Sequence, residues 1–454
     1  MISNVILLQK MIGQGQMREK REKRDKRDKK EINQEIKEEI VQNVKTGKDY
    51  ILTFVRWLVI AIIAGSVCGV LGSLFYKSIE YVTDIRTSYT YIPLFLPLGG
   101  IAIVFIYKLF NVYKDKGTNL VLESIHSHDQ IPGTMAPLIY IGTVLTHLFG
   151  GSSGREGAAL QMGGCLGVFI GKKLKMSEKD INILTMCGMS AVFTAMFGTP
   201  ITATIFSMEV ISVGMFQYSA FVPCIIASTI SLGIAGSFGI KGETFTVLKQ
   251  PAMDIFLCGK ILLLAIACGL IAILLCQSLT YSHKIFDRLF KNPYLKIAVG
   301  GLLVSLFIFI TKTQYYSGAG FNIIRDAFNG NVNSYAFIIK LLLTAITLGC
   351  GFKGGEIVPA LCIGASFGSV FAPILGLNAD FGSALGLTCL FCGVVNCPIA
   401  AILLAMEMFG QHHLLAFAIA SGVSYVFSGC FGLYKSQKIL YSKIHAEYIN
   451  THTH

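Results

Sequence analysis

The chain has 454 residues, 53% of them hydrophobic and only 14% charged, with a net charge of +12. An average soluble domain carries roughly 25% charged residues, so this composition excludes an ordinary soluble protein and points to a chain that lives largely in lipid. The positive balance is spread through a tail and several loops, so it does not mark a nucleic-acid-binding domain.

Residues 1–50 read as a charged cytoplasmic tail, with 13 Lys/Arg against 9 Asp/Glu, a net +4. Arg18–Lys30 alternates in sign, the pattern of a solvated helix or a disordered arm. Val5–Leu8 is too short for the apolar region of a signal peptide, so no cleavage is expected. Long uncharged runs then follow at Trp57–Tyr76, Ile131–Gly154, Ile181–Met208, Val210–Ile240, Ile357–Ala379 and Phe381–Met406. A bilayer-spanning helix needs about 20 apolar residues, and so many runs in succession predict an all-helical, multi-pass membrane protein. Gly65 and Gly69 form a GxxxG suited to close helix contact inside the chain.

The cluster Gly150-Gly-Ser-Ser-Gly154 breaks one apolar stretch and starts the next. The helix expected from Arg155 to Ile170 would be roughly 24 Å long, short of the roughly 30 Å hydrocarbon core. Such a helix begins inside the membrane, with free backbone N–H groups and the positive end of its dipole there, which suits an anion. Ser177-Glu-Lys-Asp180 reads as a capping box for a helix starting at the cytoplasmic surface. Basic clusters at Lys172–Lys179, His283–Lys296 and Lys435–Lys443 face the cytoplasm by the positive-inside rule, which places both termini inside. The thirteen cysteines are scattered through apolar runs; Cys389 and Cys392 have metal-pair spacing but no His nearby, so they read as packing residues. His412-His413 reads as a solvated loop, and no cofactor or structural metal is expected.

The chain also resembles itself. Gly151-Ser-Ser-Gly154-Arg-Glu156 aligns with Gly351-Phe-Lys-Gly354-Gly-Glu356 at an offset of 200, after which Gly164 meets Gly364. Pro200-Ile-Thr-Ala203 with Met208-Glu209 matches Pro398-Ile-Ala-Ala401 with Met406-Glu407 at an offset of 198. Duplicated halves with discontinuous helices are the build of many secondary transporters. The expected organisation is a tail, a first half at about 51–245, a second half at about 252–445 and a short cytoplasmic tail at 446–454.

Glu156, Glu209, Glu356 and Glu407 interrupt apolar runs, and ionisable groups within a membrane are functional candidates. An acid withheld from water favours its neutral form and can trade protons during transport. Glu209 and Glu407, late in their helices, read as packing groups; Glu156 and Glu356, each in a Gly-rich break at a helix start, read as functional.

At these residues the sequence resembles the CLC family of anion channels and antiporters. Gly154-Arg155-Glu156-Gly157 is similar to that family's G-[KR]-E-G-P motif, with Ala158 in place of Pro. Gly355-Glu-Ile357-Val358-Pro359 sits where the family has G-x-F-x-P. Gly117-Thr118-Asn119-Leu120-Val121 sits where chloride-selective members carry G-S-G-I-P, and Tyr434 looks like the pore tyrosine. The resemblance implies that Glu156 is the gating glutamate and that these loops, with Arg155, Gly157 and Tyr434, bind the anion. It also implies inverted halves and a homodimer with one pore per subunit.

Three departures from the chloride pattern resemble the fluoride/proton antiporter branch, CLC-F. The G-S-G-I-P element is lost, Glu356 is present within the second motif, and Val210 stands where chloride antiporters often place an internal proton-transfer glutamate. The resemblance therefore implies fluoride export from the cell, across the plasma membrane, in exchange for protons. The rival readings are a chloride/proton antiporter or passive anion channel on the same fold, and an intramembrane serine protease using His147 with Ser152 or Ser153.

Overall fold

The computed structural model describes residues 2–112, 115–127, 131–247 and 253–454, with side chains described at residue 42 and from residue 46 onward. Two compact units are distinguished, Met1–Val59 and Ile60–His454. The first is helical in its described backbone, and the side chains of Arg18–Lys30 lie outside those described.

The second unit is a predominantly helical, two-half repeat. Helix α1 has the bounds Ile2–Ser88, and its apolar part is Thr46–Ser88. It is followed by α2 (Leu96–Leu109), α3 (Asn119–Ser127), α4 (Met135–Leu148), α5 (Glu156–Lys173), α6 (Glu178–Phe197), α7 (Pro200–Glu209) and α8 (Phe221–Ser237). The same order of long and short helices then recurs: α9 (Ile255–Leu289), α10 (Pro293–Thr311), α11 (Phe321–Phe328), α12 (Ala336–Gly349), α13 (Ile357–Phe371), α14 (Ala379–Val395), α15 (Pro398–Phe409) and α16 (Leu414–Phe427). Among the described residues, seven helical segments are long and apolar enough to cross a bilayer, and several shorter apolar helices lie between them. The chain is a multi-pass membrane protein.

Local chemistry explains the helix boundaries. Ser177 caps α6, its Oγ accepting from the Asp180 N–H at 3.3 Å, as the capping box predicts. Asp254 caps α9 and Asn292, followed by Pro293, caps α10. Two runs that read as single spans are each broken in the structure. Ile181–Met208 divides at Gly198, which is left-handed at φ 73°, before Pro200 opens α7. Phe381–Met406 divides at Asn396, left-handed at φ 57°, before Pro398 opens α15. A left-handed residue ends one helix and a proline starts the next, so apolar length alone overstated the span.

The halves interlock through helix starts. Glu209, at the end of α7, accepts from the N–H groups of Ile399 and Ala400 at 3.1 and 2.8 Å, at the start of α15. Glu407, in α15, accepts from the N–H groups of Ile201 and Thr202 at 3.1 and 2.8 Å, at the start of α7. Each acid thus satisfies orphan donors of the other half's helix, which agrees with their reading as packing groups. Gly65 and Gly69 pack α1 onto α8, where an added Cβ would meet the Ala227 carbonyl oxygen at 2.6 Å and the Ser231 Cα at 3.0 Å. The GxxxG is therefore an internal contact.

A small three-stranded sheet completes the second unit. β1 (Ser212–Val213) pairs in parallel with β2 (Lys438–Tyr441), which pairs antiparallel with β3 (Tyr448–His452). Residues read from sequence as a plain carboxyl-terminal tail thus include a strand.

Candidate functional site

The two Gly-rich breaks cross in the second unit. Gly154 N–H donates to the Gly355 carbonyl and Gly355 N–H to the Gly154 carbonyl, both at 2.6 Å. The crossing is tight: a Cβ on Gly355 would stand 2.4 Å from the Gly157 nitrogen. It brings the starts of α5 and α13 together. The first bonds into each helix run from Ala159 N–H to the Arg155 carbonyl and from Ala360 N–H to the Glu356 carbonyl. The amides before them, on Gly157, Ala158, Ile357 and Val358, belong to the unpaired first turn. α5 has 18 residues, about 27 Å of helix, still shorter than the hydrocarbon core.

This geometry revises the repeat alignment by one residue. Arg155 precedes α5 as Glu356 precedes α13, and the reciprocal bridge pairs Gly154 with Gly355. The structural offset is therefore 201, not 200, and Glu156 and Glu356 are not repeat equivalents. One position along a helix turns a side chain by about 100°, and the two acids have different surroundings. Glu156 is fully buried, with Oε2 accepting from the Arg155 N–H at 2.9 Å and Oε1 lying 3.3 Å from the Arg155 Nε. The Arg155 guanidinium lies over the Tyr76 ring, 4.0 Å from its centroid. Glu356 is half-buried and lines a large cavity; its Oε2 lies where a Cβ on Gly157 would meet it at 2.9 Å.

The cavity holds about 1060 Å³ and is lined by Gly117, Thr118, Asn119, Gln161, Lys353 and Glu356, among others. Gly117 adopts φ 61° and donates its N–H to Asp115 Oδ1 at 2.9 Å, which turns the chain into α3. Thr118 is buried and its hydroxyl donates to the Gly157 carbonyl at 3.2 Å, joining this loop to the α5 start. The oxygen of the Asn119 side chain accepts from the Ser436 N–H at 2.9 Å, which leaves its NH2 donors for other partners. Tyr434 is fully buried, and its hydroxyl neighbours the Thr118 side chain without making a hydrogen bond of ordinary geometry among the described residues, Thr118 donating to the Gly157 carbonyl instead. A buried hydroxyl without such a bond is costly and needs an explanation.

Not every residue of the sequence motifs faces the cavity. Val121 is fully buried and packs on Gly164, where a Cβ would meet its Cγ1 at 2.3 Å, and Leu120 is half-buried. Ile357 and Val358 are fully buried, so their N–H groups rather than their side chains remain for an ion.

Sequence reasoning missed two groups. Asp115 bridges to Lys353 at 3.1 Å and accepts from Gln161 Nε2 at 2.9 Å. Burial pushes the Asp115 carboxyl up, but Lys353, Gln161 and the Gly117 N–H outweigh it and hold it below the usual carboxylate range. Lys340 is fully buried in α12 and donates to the Ser152 Oγ at 3.0 Å and to the carbonyls of Tyr316 and Gly318 at 3.2 and 2.5 Å. A lone lysine in the apolar run Ala336–Gly349 was the available signal. Ser152 Oγ also bonds Thr344 Oγ1 at 3.1 Å, whereas His147 Nδ1 bonds the Thr143 carbonyl at 3.1 Å. His147 Nε2 and Ser153 Oγ have no partner among the described residues, so the serine–histidine bond of a protease is not formed.

The family model described as voltage gated chloride channel matches residues 99–429. The chain is similar to a "Chloride/fluoride channel protein" of Pseudomonas syringae pv. tomato, 32% identical over 86% of this chain and 88% of that one. It is also similar to the "H(+)/Cl(-) exchange transporter ClcA" of Vibrio vulnificus, 25% identical over 84% and 89% of the two chains. Among solved structures it superposes on a CLC-type fluoride/proton antiporter with a TM-score of 0.81 and 31% identity, over 84% of this chain and 98% of that one.

Proposed function

The chain belongs to the voltage gated chloride channel (CLC) family, and on that premise we propose that it exchanges fluoride for protons and so exports fluoride from the cell. The observation that carries this reading is Glu356 on the cavity wall, set against Gly157 at the start of α5. The names of the relatives support fluoride as cargo, at 32% and 31% identity.

Fluoride is small and strongly hydrated, so removing its water requires good donors. The unpaired amides of Gly157, Ala158, Ile357 and Val358 provide two helix starts for an anion, and the Tyr434 hydroxyl and Asn119 NH2 add side-chain donors. Thr118 serves through its tie to Gly157. An ionised Glu356 repels the anion; protonated, it donates a short, strong hydrogen bond to it. Proton and fluoride binding are therefore linked at Glu356, while competition between the charged Glu156 and the anion for one route makes the two ions move in opposite directions. Glu156, held by Arg155, acts as the gate: charged, it occupies the anion route, and protonated, it leaves.

The same reading divides the chain into a tail at 1–50, halves at about 51–245 and 252–445, and a last segment at 446–454. It sets the protein in the plasma membrane as a homodimer with both termini cytoplasmic; Lys291, Lys296 and Lys435 on the cavity wall suit a mouth facing the cytoplasm. The test is reconstitution in liposomes with an imposed fluoride gradient, recording fluoride and pH together. Uphill proton movement is expected; fluoride current without it identifies a channel, and coupled movement of chloride alone identifies a chloride/proton antiporter.

A further inference from the structure

We propose that the carboxyl-terminal strand β3 is a strap that positions Tyr434, with the Thr453 hydroxyl as the positioning group; this builds on the transport reading above. The loop from Ser428 to Gln437 carries Tyr434 and is neither helix nor strand. The Tyr434 hydroxyl makes no hydrogen bond of ordinary geometry among the described residues, its neighbour Thr118 donating to the Gly157 carbonyl instead, so the ring is placed chiefly by its backbone. That backbone is held from the chain's last residues: Thr453 Oγ1 donates to the Tyr434 carbonyl at 2.5 Å, Thr453 N–H to the Gln437 carbonyl at 3.2 Å, and His454 N–H to the Cys430 carbonyl at 2.9 Å.

The strap is itself fixed. Lys438 and Ile439 of β2 face His452 and Thr451 of β3, and β2 lies against Ser212 and Val213 just after α7. Thr453 is buried and packs against Gly432, where a Cβ would come within 3.2 Å of its Cγ2 and 2.8 Å of the Asn396 Nδ2. The loop passes its position on to the other side of the cavity. Ser436 donates its N–H to the Asn119 oxygen at 2.9 Å and its hydroxyl to Glu123 Oε1 at 2.8 Å. A displacement of the loop would therefore move both Tyr434 and Asn119.

The experiment compares Thr453→Val, which removes the donor and nearly keeps the shape, with Thr453→Ser, which keeps the donor. Both are measured in liposomes for fluoride turnover and for the fluoride-to-chloride ratio. Losing one buried hydrogen bond corresponds to a fall of up to about tenfold in turnover, with the ratio lowered in T453V and both quantities kept in T453S. Combining T453V with Tyr434→Phe makes a double-mutant cycle; T453V should add little once the hydroxyl it places is gone. A folded T453V with wild-type turnover and ratio overturns the strap, as does full additivity with Y434F. If the wild-type protein moves chloride and not fluoride, the transport reading fails, yet the cycle still reads the strap on chloride flux.

Discussion

Glu356 differs from the other acids of the second unit in what holds it. Glu156 has Arg155, and Glu209 and Glu407 each have two backbone N–H groups, whereas Glu356 faces the cavity beside Gly157. Replacing it by Gln keeps size and polarity but removes the exchangeable proton. Glu356→Gln should abolish proton coupling; unchanged proton-driven fluoride transport in liposomes would refute its role. Two of the side chains that matter most here were legible from residue type and place, because an acid beside glycines in an apolar run has few structural uses. Their different surroundings were not legible. The matching Gly-x-x-Gly-x-Glu letters suggested equivalence, and only the Gly154–Gly355 bridge revealed the one-residue slip.

At the scale of elements, the crossed acids tie α7 to α15. Each takes N–H groups at a helix start that the surrounding lipid and protein cannot solvate. Glu407→Ala would leave the amides of Ile201 and Thr202, and the Thr202 hydroxyl that donates at 2.5 Å, without this acceptor. Loss of this cap should destabilise the protein by about 1–3 kcal/mol, read as a lower midpoint of thermal unfolding in detergent with the fluoride-to-chloride ratio unchanged. A wild-type midpoint would deny the cap its structural weight. The proline and Met-Glu pattern announced paired elements in the two halves. It did not announce that each acid reaches across to the opposite half, because hydropathy and spacing describe a helix along its own axis and carry no information about its neighbour.

At the scale of the whole molecule, Asp115 and Lys353 join the loop before α3 to the loop before α13, across the cavity that separates the two motifs. Because the Asp115 carboxyl is held below its ordinary range, its contribution is present above its unfolded value and lost as pH falls through the folded one. The stability difference between wild type and Asp115→Asn should therefore be level from neutral pH down to about pH 4 and shrink below it. Thermal midpoints of both proteins in a pH series measure this; a difference that vanishes by pH 6 would contradict the assignment. The membrane class, the duplication and the candidate acids were all decided by the sequence alone, because apolar length, glycine breaks and charge in an apolar run are local properties of the chain. The crossing of the breaks, the facing of Glu356 to Gly157, the burial of Lys340 and the hold of Thr453 on Tyr434 were decided only by tertiary structure. Each depends on residues far apart in sequence meeting through backbone groups, and a backbone N–H or carbonyl is the same at every position until the fold chooses its partner.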